Sequence, residues 1–287
     1  MSPAVEAATI TEREAEQVER ANASGRTAVV FVHGLWLLPS SWGRWAEAFE
    51  GAGYAALTPG WPDDPATVAE AKANPDALAH KGVGQVADHH EAVVGRLDRR
   101  PAIVGHSFGG LLTQILAGRG LAAVSVAISP APFRGVLPLP LSALRSALPV
   151  LGNPRNYKRA VPLTYEQFRY AFANAVPEDE AKALYDEYSV PGPGLPIFQA
   201  ATANLNPRTE AKVDTKNPDR GPLLIVSATD DHTVPKAIAK ASYGRQRRNP
   251  GVTEFVLVEG RGHALTIDAG WRTVADVARD FVRRFTG

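Results

Sequence analysis

At 287 residues the chain is long enough to bury one full core and carry an insertion, and a hydrophobic fraction of 45% is ordinary for a globular protein. With 31 basic residues against 30 acidic ones, a net charge of +1 gives no overall electrostatic basis for binding nucleic acid or an anionic membrane. Cysteine is absent, which excludes disulfides, thiolate chemistry and a cysteine-type zinc site.

The N-terminus lacks the charged, apolar and small-residue succession of a signal peptide. No uninterrupted apolar run reaches membrane-spanning length. A cytoplasmic protein without a membrane span is therefore expected. Residues 11–23 read as a polar helix with Thr11 and Glu14 spaced as a capping box, so residues 1–24 form an N-terminal helical extension.

From residue 27 to about 130 strand-like and helix-like segments alternate, as a mostly parallel sheet flanked by helices requires. Thr27–Val32 is a strand leading into His33-Gly34-Leu35-Trp36, and Tyr54–Thr58 is a strand leading into Pro59-Gly60-Trp61-Pro62. A helix lies within Gly82–Leu97. Pro101–Val104 is a short buried strand, Leu111–Ala117 begins a buried helix, and Ala122–Ile128 is the next strand. Several residues along the way invite other readings and reject them. His89 and His90 are adjacent on a helix and point in different directions, so they are not a metal pair. Asp63 and Asp64 sit in a Pro-rich loop and shape a turn. Gly82-Val83-Gly84 lacks the rest of a dinucleotide fingerprint. Trp42 and Trp45 have helical spacing and read as core. The short basic runs Arg245–Arg248 and Arg283-Arg284 read as solvated helix faces.

The alternation stops near Ala131. Six prolines between Pro132 and Pro162 interrupt the chain, helical patches follow at Leu141–Leu148, Tyr165–Ala175 and Glu178–Tyr188, and Pro191-Gly192-Pro193-Gly194 makes a break. Leu223–Ala228 and Thr253–Val258 then restore the strand pattern, and a final helix covers about Gly270 to Phe285. The reading is an α/β core over 25–130 and 221–287, interrupted by a helical insertion over 131–220.

Gly105-His106-Ser107-Phe108-Gly109 carries the chemistry. It matches Gly-x-Ser-x-Gly and lies between a strand and a helix, where a sharp turn lifts the serine hydroxyl clear of the backbone. Small residues at Gly105 and Gly109 let strand and helix approach, and the helix N-terminus favours negative charge developing at Ser107. A serine hydroxyl needs a base, and the base needs a partner. Both follow in chain order: Thr229-Asp230-Asp231-His232-Thr233-Val234-Pro235 after one strand, and Glu259-Gly260-Arg261-Gly262-His263 after the next. His263 would take the serine proton, while a buried carboxylate from Asp231 or its neighbour Asp230 fixes the imidazole tautomer. His106 flanks the nucleophile and is not a second base, its side chain being expected to leave the elbow on another face.

In that arrangement the chain resembles the α/β-hydrolase superfamily over most of its length, on His33-Gly34, the Ser107 elbow, the acid loop and His263 in that order. The likeness extends to bacterial members with a His-Gly-Leu-Trp turn. It implies an α/β-hydrolase fold with 131–220 as a helical cap over the pocket. It favours Asp231 as the acid, since the family's acid is followed by a short turn ending in proline, here Pro235. It also implies an oxyanion hole from the backbone N–H groups of Leu35 and Phe108, with His33 buttressing the loop. Trp36 beside that loop reads either as a pocket wall or as a packing residue, and Phe133 at the start of the insertion and Val234 beside the acid are candidate pocket walls. The implied activity is hydrolysis of a small-molecule carboxylic ester or related acyl compound through an acyl-enzyme, with no cofactor and no metal. Within the same fold the alternatives are carbon–carbon bond hydrolysis, lactone opening or cofactor-free perhydrolysis. From another class, the alternative is a slow-turnover ligand-binding or signalling protein.

Overall fold

The computed structural model describes residues 10–287, so residues 1–9 of the expected N-terminal extension lie outside the described residues. The first helix, α1 (Glu12–Ser24), starts at Thr11, whose hydroxyl accepts from the Glu14 N–H while the Glu14 carboxylate accepts from the Thr11 N–H. That reciprocal pair is the capping box read from the sequence. Three strands and four helices follow: β1 (Ala28–Val32), α2 (Gly43–Glu50), β2 (Ala55–Leu57), α3 (Val68–Ala73), α4 (Val83–Val94), β3 (Ala102–His106) and α5 (Phe108–Gly118). After β4 (Val124–Ile128) come α6 (Leu141–Leu151), β5 (Ala160–Val161), α7 (Tyr165–Ala171), α8 (Glu178–Tyr188), β6 (Gly192–Pro193) and α9 (Leu195–Thr202). The chain closes with β7 (Leu223–Ala228), α10 (Lys236–Gln246), β8 (Thr253–Val258) and α11 (Trp271–Thr286).

Six strands form one sheet in the order β2-β1-β3-β4-β7-β8, and every neighbouring pair is parallel. Parallel neighbours need crossover helices, so both faces are covered and the central strands are apolar on both sides. Side chains alternate accordingly. Val29, Phe31, Val104 and Val126 pack in one cluster with Trp45 and Phe49 of α2 and with Val274 and Phe281 of α11. Val30, Val32 and Ile103 face the other way, into a cluster with α4 and α5. Trp42 and Trp45 belong to the first cluster, as their helical spacing suggests.

From β1 the chain adds β2 on one side, then crosses to add β3 on the other. The crevice of an open α/β sheet lies where the winding reverses, at the carboxyl ends of the strands. Here that is between β1 and β3, which carry the His33-Gly34 turn and the Ser107 elbow at their ends.

Within residues 131–220 the regular elements are helices joined by irregular segments, together with β5 and β6, a two-residue antiparallel ladder. The ladder and α9 were not read from the sequence. The Gly192-Pro193 pair looks like a break, yet it still pairs with Ala160 and Val161. This segment is tied to the loops at the carboxyl edge of the sheet. The Ala264 N–H donates to Phe172 O (2.9 Å), the Thr233 hydroxyl to Ala171 O (2.7 Å), and the Val190 N–H to Trp36 O (3.1 Å). No helix among the described residues is long and apolar enough to cross a membrane.

Candidate active site

Ser107 has φ 58° and ψ −120°, a left-handed conformation that a side chain rarely adopts. Close packing imposes it. A Cβ on Gly105 would run into Gly109 O and the Thr113 hydroxyl, and one on Gly109 would run into Val32 O. One on Gly110 would come within 3.0 Å of Pro130. Strand β3, helix α5 and strand β1 therefore meet at these glycines with no room for a side chain, and Ser107 turns the corner with its positive φ. The Ser107 N–H donates to Ile128 O at 2.9 Å, which pins the turn to β4.

Three loops bring their side chains together. His263, after β8, has Nε2 2.9 Å from Ser107 Oγ and Nδ1 2.8 Å from Asp231 Oδ2. Asp231, after β7, uses its second oxygen to accept from the Thr233 N–H (2.9 Å) and the Val234 N–H (2.7 Å). Burial would by itself raise the Asp231 carboxyl; the adjacent His263 and these hydrogen bonds outweigh it and hold the group below the usual carboxylate range. An ionised carboxylate only accepts, so Nδ1 of His263 carries the ring proton and donates it to Asp231. That leaves Nε2 bare to accept from the Ser107 hydroxyl. His263 and Asp231 are both buried, while Asp230 is exposed and turns away.

The His33-Gly34 turn lies against the elbow, as the register Val32↔Gly105 between β1 and β3 dictates. A Cβ on Gly34 would stand 2.8 Å from the Ser107 Cβ and 3.3 Å from the Phe108 nitrogen. The backbone around Leu35 and Phe108 thus converges beside the serine. His33 is buried, with Nε2 2.9 Å from Asp64 Oδ2 and its ring stacked on Trp61. Asp64 also accepts from the Trp61 N–H at 2.8 Å, so this aspartate organises the loop that supports the turn.

Ser107 opens into a cavity of about 190 Å³ whose walls are mainly apolar, with Ser146, Asn204 and Thr233 as the other polar residues. Trp36, Phe133 and Val234 all line it, with Ala143 and Ala147 of α6 and Ile197 of α9 opposite. The Trp36 indole N–H donates to Val161 O at 2.9 Å, which fixes that wall to the β5–β6 ladder.

Two features differ from the sequence reading or escape it. His106 does not leave on a separate face: its ring lies 4.6 Å from the His263 ring. It makes no hydrogen bond to Ser107. Burial first, and the neighbouring His263 second, push its pKa far below the usual histidine range, so it is a neutral packing surface. Phe172, just past α7, was missed altogether. Its ring meets the His263 ring edge-on at 4.9 Å and stacks on Phe168 at 5.0 Å, so an aromatic from the insertion covers the histidine. An aromatic in a helical patch carries no sequence signal for that contact.

His89 and His90 go to separate partners, Glu14 and Val86 O. Among the described residues, no group of three or more His, Cys, Asp or Glu side chains is placed to hold a metal ion.

Compared with known families, residues 29–277 match the model of the alpha/beta hydrolase family. The chain belongs to this family. No curated protein matches it in sequence. Among solved structures, this alpha/beta hydrolase is similar to a monoacylglycerol lipase of Paleococcus ferrophilus, at 19% identity over 90% of this chain and 93% of that one, with a TM-score of 0.59. It is also similar to a pyrethroid hydrolase from Sphingobium faniae, at 17% identity over 90% and 97% of the two chains and a TM-score of 0.62. An extracellular alpha/beta-hydrolase from a Paenibacillus species gives 17% identity over 89% and 98%, with a TM-score of 0.61. At such identities the likeness is one of fold.

Proposed function

We propose that the chain is a serine hydrolase that cleaves a small-molecule carboxylic ester through an acyl-enzyme on Ser107, with residues 131–220 as the cap over its pocket. The observation that carries this reading is the hydrogen-bonded series Ser107–His263–Asp231, with contacts of 2.9 and 2.8 Å, at the floor of an apolar cavity.

Ser107 Oγ attacks the ester carbonyl while His263 Nε2 takes its proton. The imidazolium so formed is held by the Asp231 carboxylate. The negative oxygen of the tetrahedral intermediate is held by the Leu35 and Phe108 N–H groups, each such donor being worth about 3 kcal/mol. His263 then gives its proton to the leaving alkoxide, which departs as the alcohol. Water enters, loses a proton to His263 and attacks the acyl group, and collapse of the second intermediate frees the acid and restores the Ser107 hydroxyl. The pocket walls, Trp36, Phe133 and Val234 among them, hold the apolar part of the substrate.

The test is covalent labelling with a fluorophosphonate, together with turnover of a p-nitrophenyl ester chain-length series. Wild type should label and turn over; Ser107→Ala and His263→Ala should do neither while keeping the fold. Failure of folded wild type to label would overturn the reading.

A further inference from the structure

The rim of the cavity is the least ordinary surface of the molecule. Of the eight large hydrophobic side chains exposed among the described residues, five fall between residues 137 and 148: Leu137, Leu139, Leu141, Leu144 and Leu148. Leu141 is 85% exposed and Leu137 is 72% exposed. Leu141, Leu144 and Leu148 lie three and four apart on α6, so they form one stripe along its outer side. Leu137, Leu139 and Leu144 also line the Ser107 cavity, so the exposed patch and the cavity wall are one continuous apolar surface. Clustered exposed leucines of this kind mark a binding face rather than ordinary surface.

Charge says what the face meets. Residues 131–160 contain no Asp or Glu, but they hold Arg134, Arg145, Arg155, Lys158 and Arg159. All five are exposed, and none forms an ion pair among the described residues. Arg155 and Lys158 lie on the short turn Pro154–Lys158, which packs on α6. Glu166 borders the far end of the face beside Leu148. The net charge of +1 hides this local excess. Leu137-Pro138-Leu139-Pro140-Leu141 adds a backbone argument, because two of its five residues have no N–H to leave unpaired in an apolar layer.

We propose that this face docks on an anionic phospholipid surface, with the leucines entering the acyl boundary and the unpaired cations meeting the headgroups. Docked so, the cavity opens toward the lipid phase, and an apolar ligand passes from one to the other without crossing water. The docking is independent of the chemistry at Ser107; only the inference that substrate arrives by this route rests on the hydrolase reading.

Co-sedimentation of the full chain with vesicles of phosphatidylcholine, alone or mixed with phosphatidylglycerol, tests it. Wild type and Ser107→Ala should bind the mixed vesicles equally, which separates docking from catalysis. Leu141→Gln with Leu148→Gln, neither of which lines the cavity, should lower the partition coefficient by at least about tenfold. Arg155→Gln with Lys158→Gln should cost about fivefold per residue on the mixed vesicles and nothing on the neutral ones. Absence of wild-type binding to the mixed vesicles would overturn the proposal. So would leucine and charge variants that both bind like wild type. A wild-type dimer in light scattering that the leucine pair dissolves, with no vesicle binding, would instead give the face to a second copy of the chain.

Discussion

Asp231→Asn is the sharpest perturbation of the site, because it changes charge and proton placement while leaving shape almost alone. The Asp231 oxygen that accepts from the Thr233 and Val234 N–H groups, at 2.9 and 2.7 Å, is replaced by an amide oxygen that accepts equally well. The amide NH₂ then occupies the other site, 2.8 Å from His263 Nδ1. Two donors cannot face each other, so Nδ1 becomes the bare nitrogen and the ring proton moves to Nε2. There it points at Ser107 Oγ, 2.9 Å away, and the serine hydroxyl has no acceptor for its proton. The variant also loses the buried negative charge that, in the proposed reaction, would stabilise the imidazolium. Wrong tautomer and lost charge together should lower kcat about 10⁴-fold, or about 5 kcal/mol of barrier, with KM little changed. Stability should hold, since volume and backbone hydrogen bonds are kept. Initial rates on a short p-nitrophenyl ester give the kinetics, and thermal melts the stability. Asp230→Asn is the matched control; its exposed carboxylate predicts a change within about twofold, as surface substitutions away from special features do little. A folded Asp231→Asn retaining more than a tenth of wild-type kcat/KM, or an equal loss in Asp230→Asn, would refute the assignment.

Gly109→Ala drives a methyl into Val32 O, a backbone atom that cannot yield, and should destabilise by about 3 kcal/mol or more; Gly244→Ala on α10 meets nothing and should stabilise by up to about 1 kcal/mol, both read from urea midpoints. Ala147→Phe narrows the cavity and should raise KM for long acyl chains while acetate turnover stays near wild type, as a chain-length series would show. Glu14 accepts from Thr11, Gly60 and His89; burial alone would raise its pKa, but the His89 and Thr11 hydrogen bonds outweigh burial and hold it at about 2 against an ordinary 4.5. Its folded value lies below its unfolded one, so its contribution to stability is complete above about pH 4.5 and is lost as pH falls toward 2. Glu14→Gln should therefore flatten the fall in urea midpoint between neutral and acid pH, and an unchanged slope would count against this account.

Much of the core was legible because backbone constraints write themselves into sequence. The strand at 223–228 and the one at 253–258 coincide with β7 and β8, since short runs rich in apolar and β-branched residues between turn residues leave few alternatives. Gly105, Gly109 and Gly110 mark the elbow for the same reason: three packed backbones leave no space for a Cβ there. The helix expected within Gly82–Leu97 is α4, which ends at Val94, where the Gly95 N–H donates to Glu91 O and Val93 O.

The pocket was legible only at its fixed edge. Trp36, Phe133 and Val234 follow β1, β4 and β7, and the sheet sets the carboxyl ends of those strands beside the ends that carry Ser107 and Asp231. The opposite wall comes from α6 and α9, which touch the core through side-chain contacts that no spacing rule encodes. Ala143, Ala147 and Ile197 look like ordinary helix residues in the sequence, and Phe172 looks like any core aromatic. The exposed leucines show the same limit from the other side. A run of leucines on an amphipathic helix normally announces a buried face, and only the packed fold reveals that among the described residues this stripe stays exposed. The parts of this protein that fix its reaction are constrained by backbone geometry and can be read in one dimension. The walls of the Ser107 cavity and the leucines left exposed beside it depend on how residues 131–220 pack, which spacing along the chain does not encode.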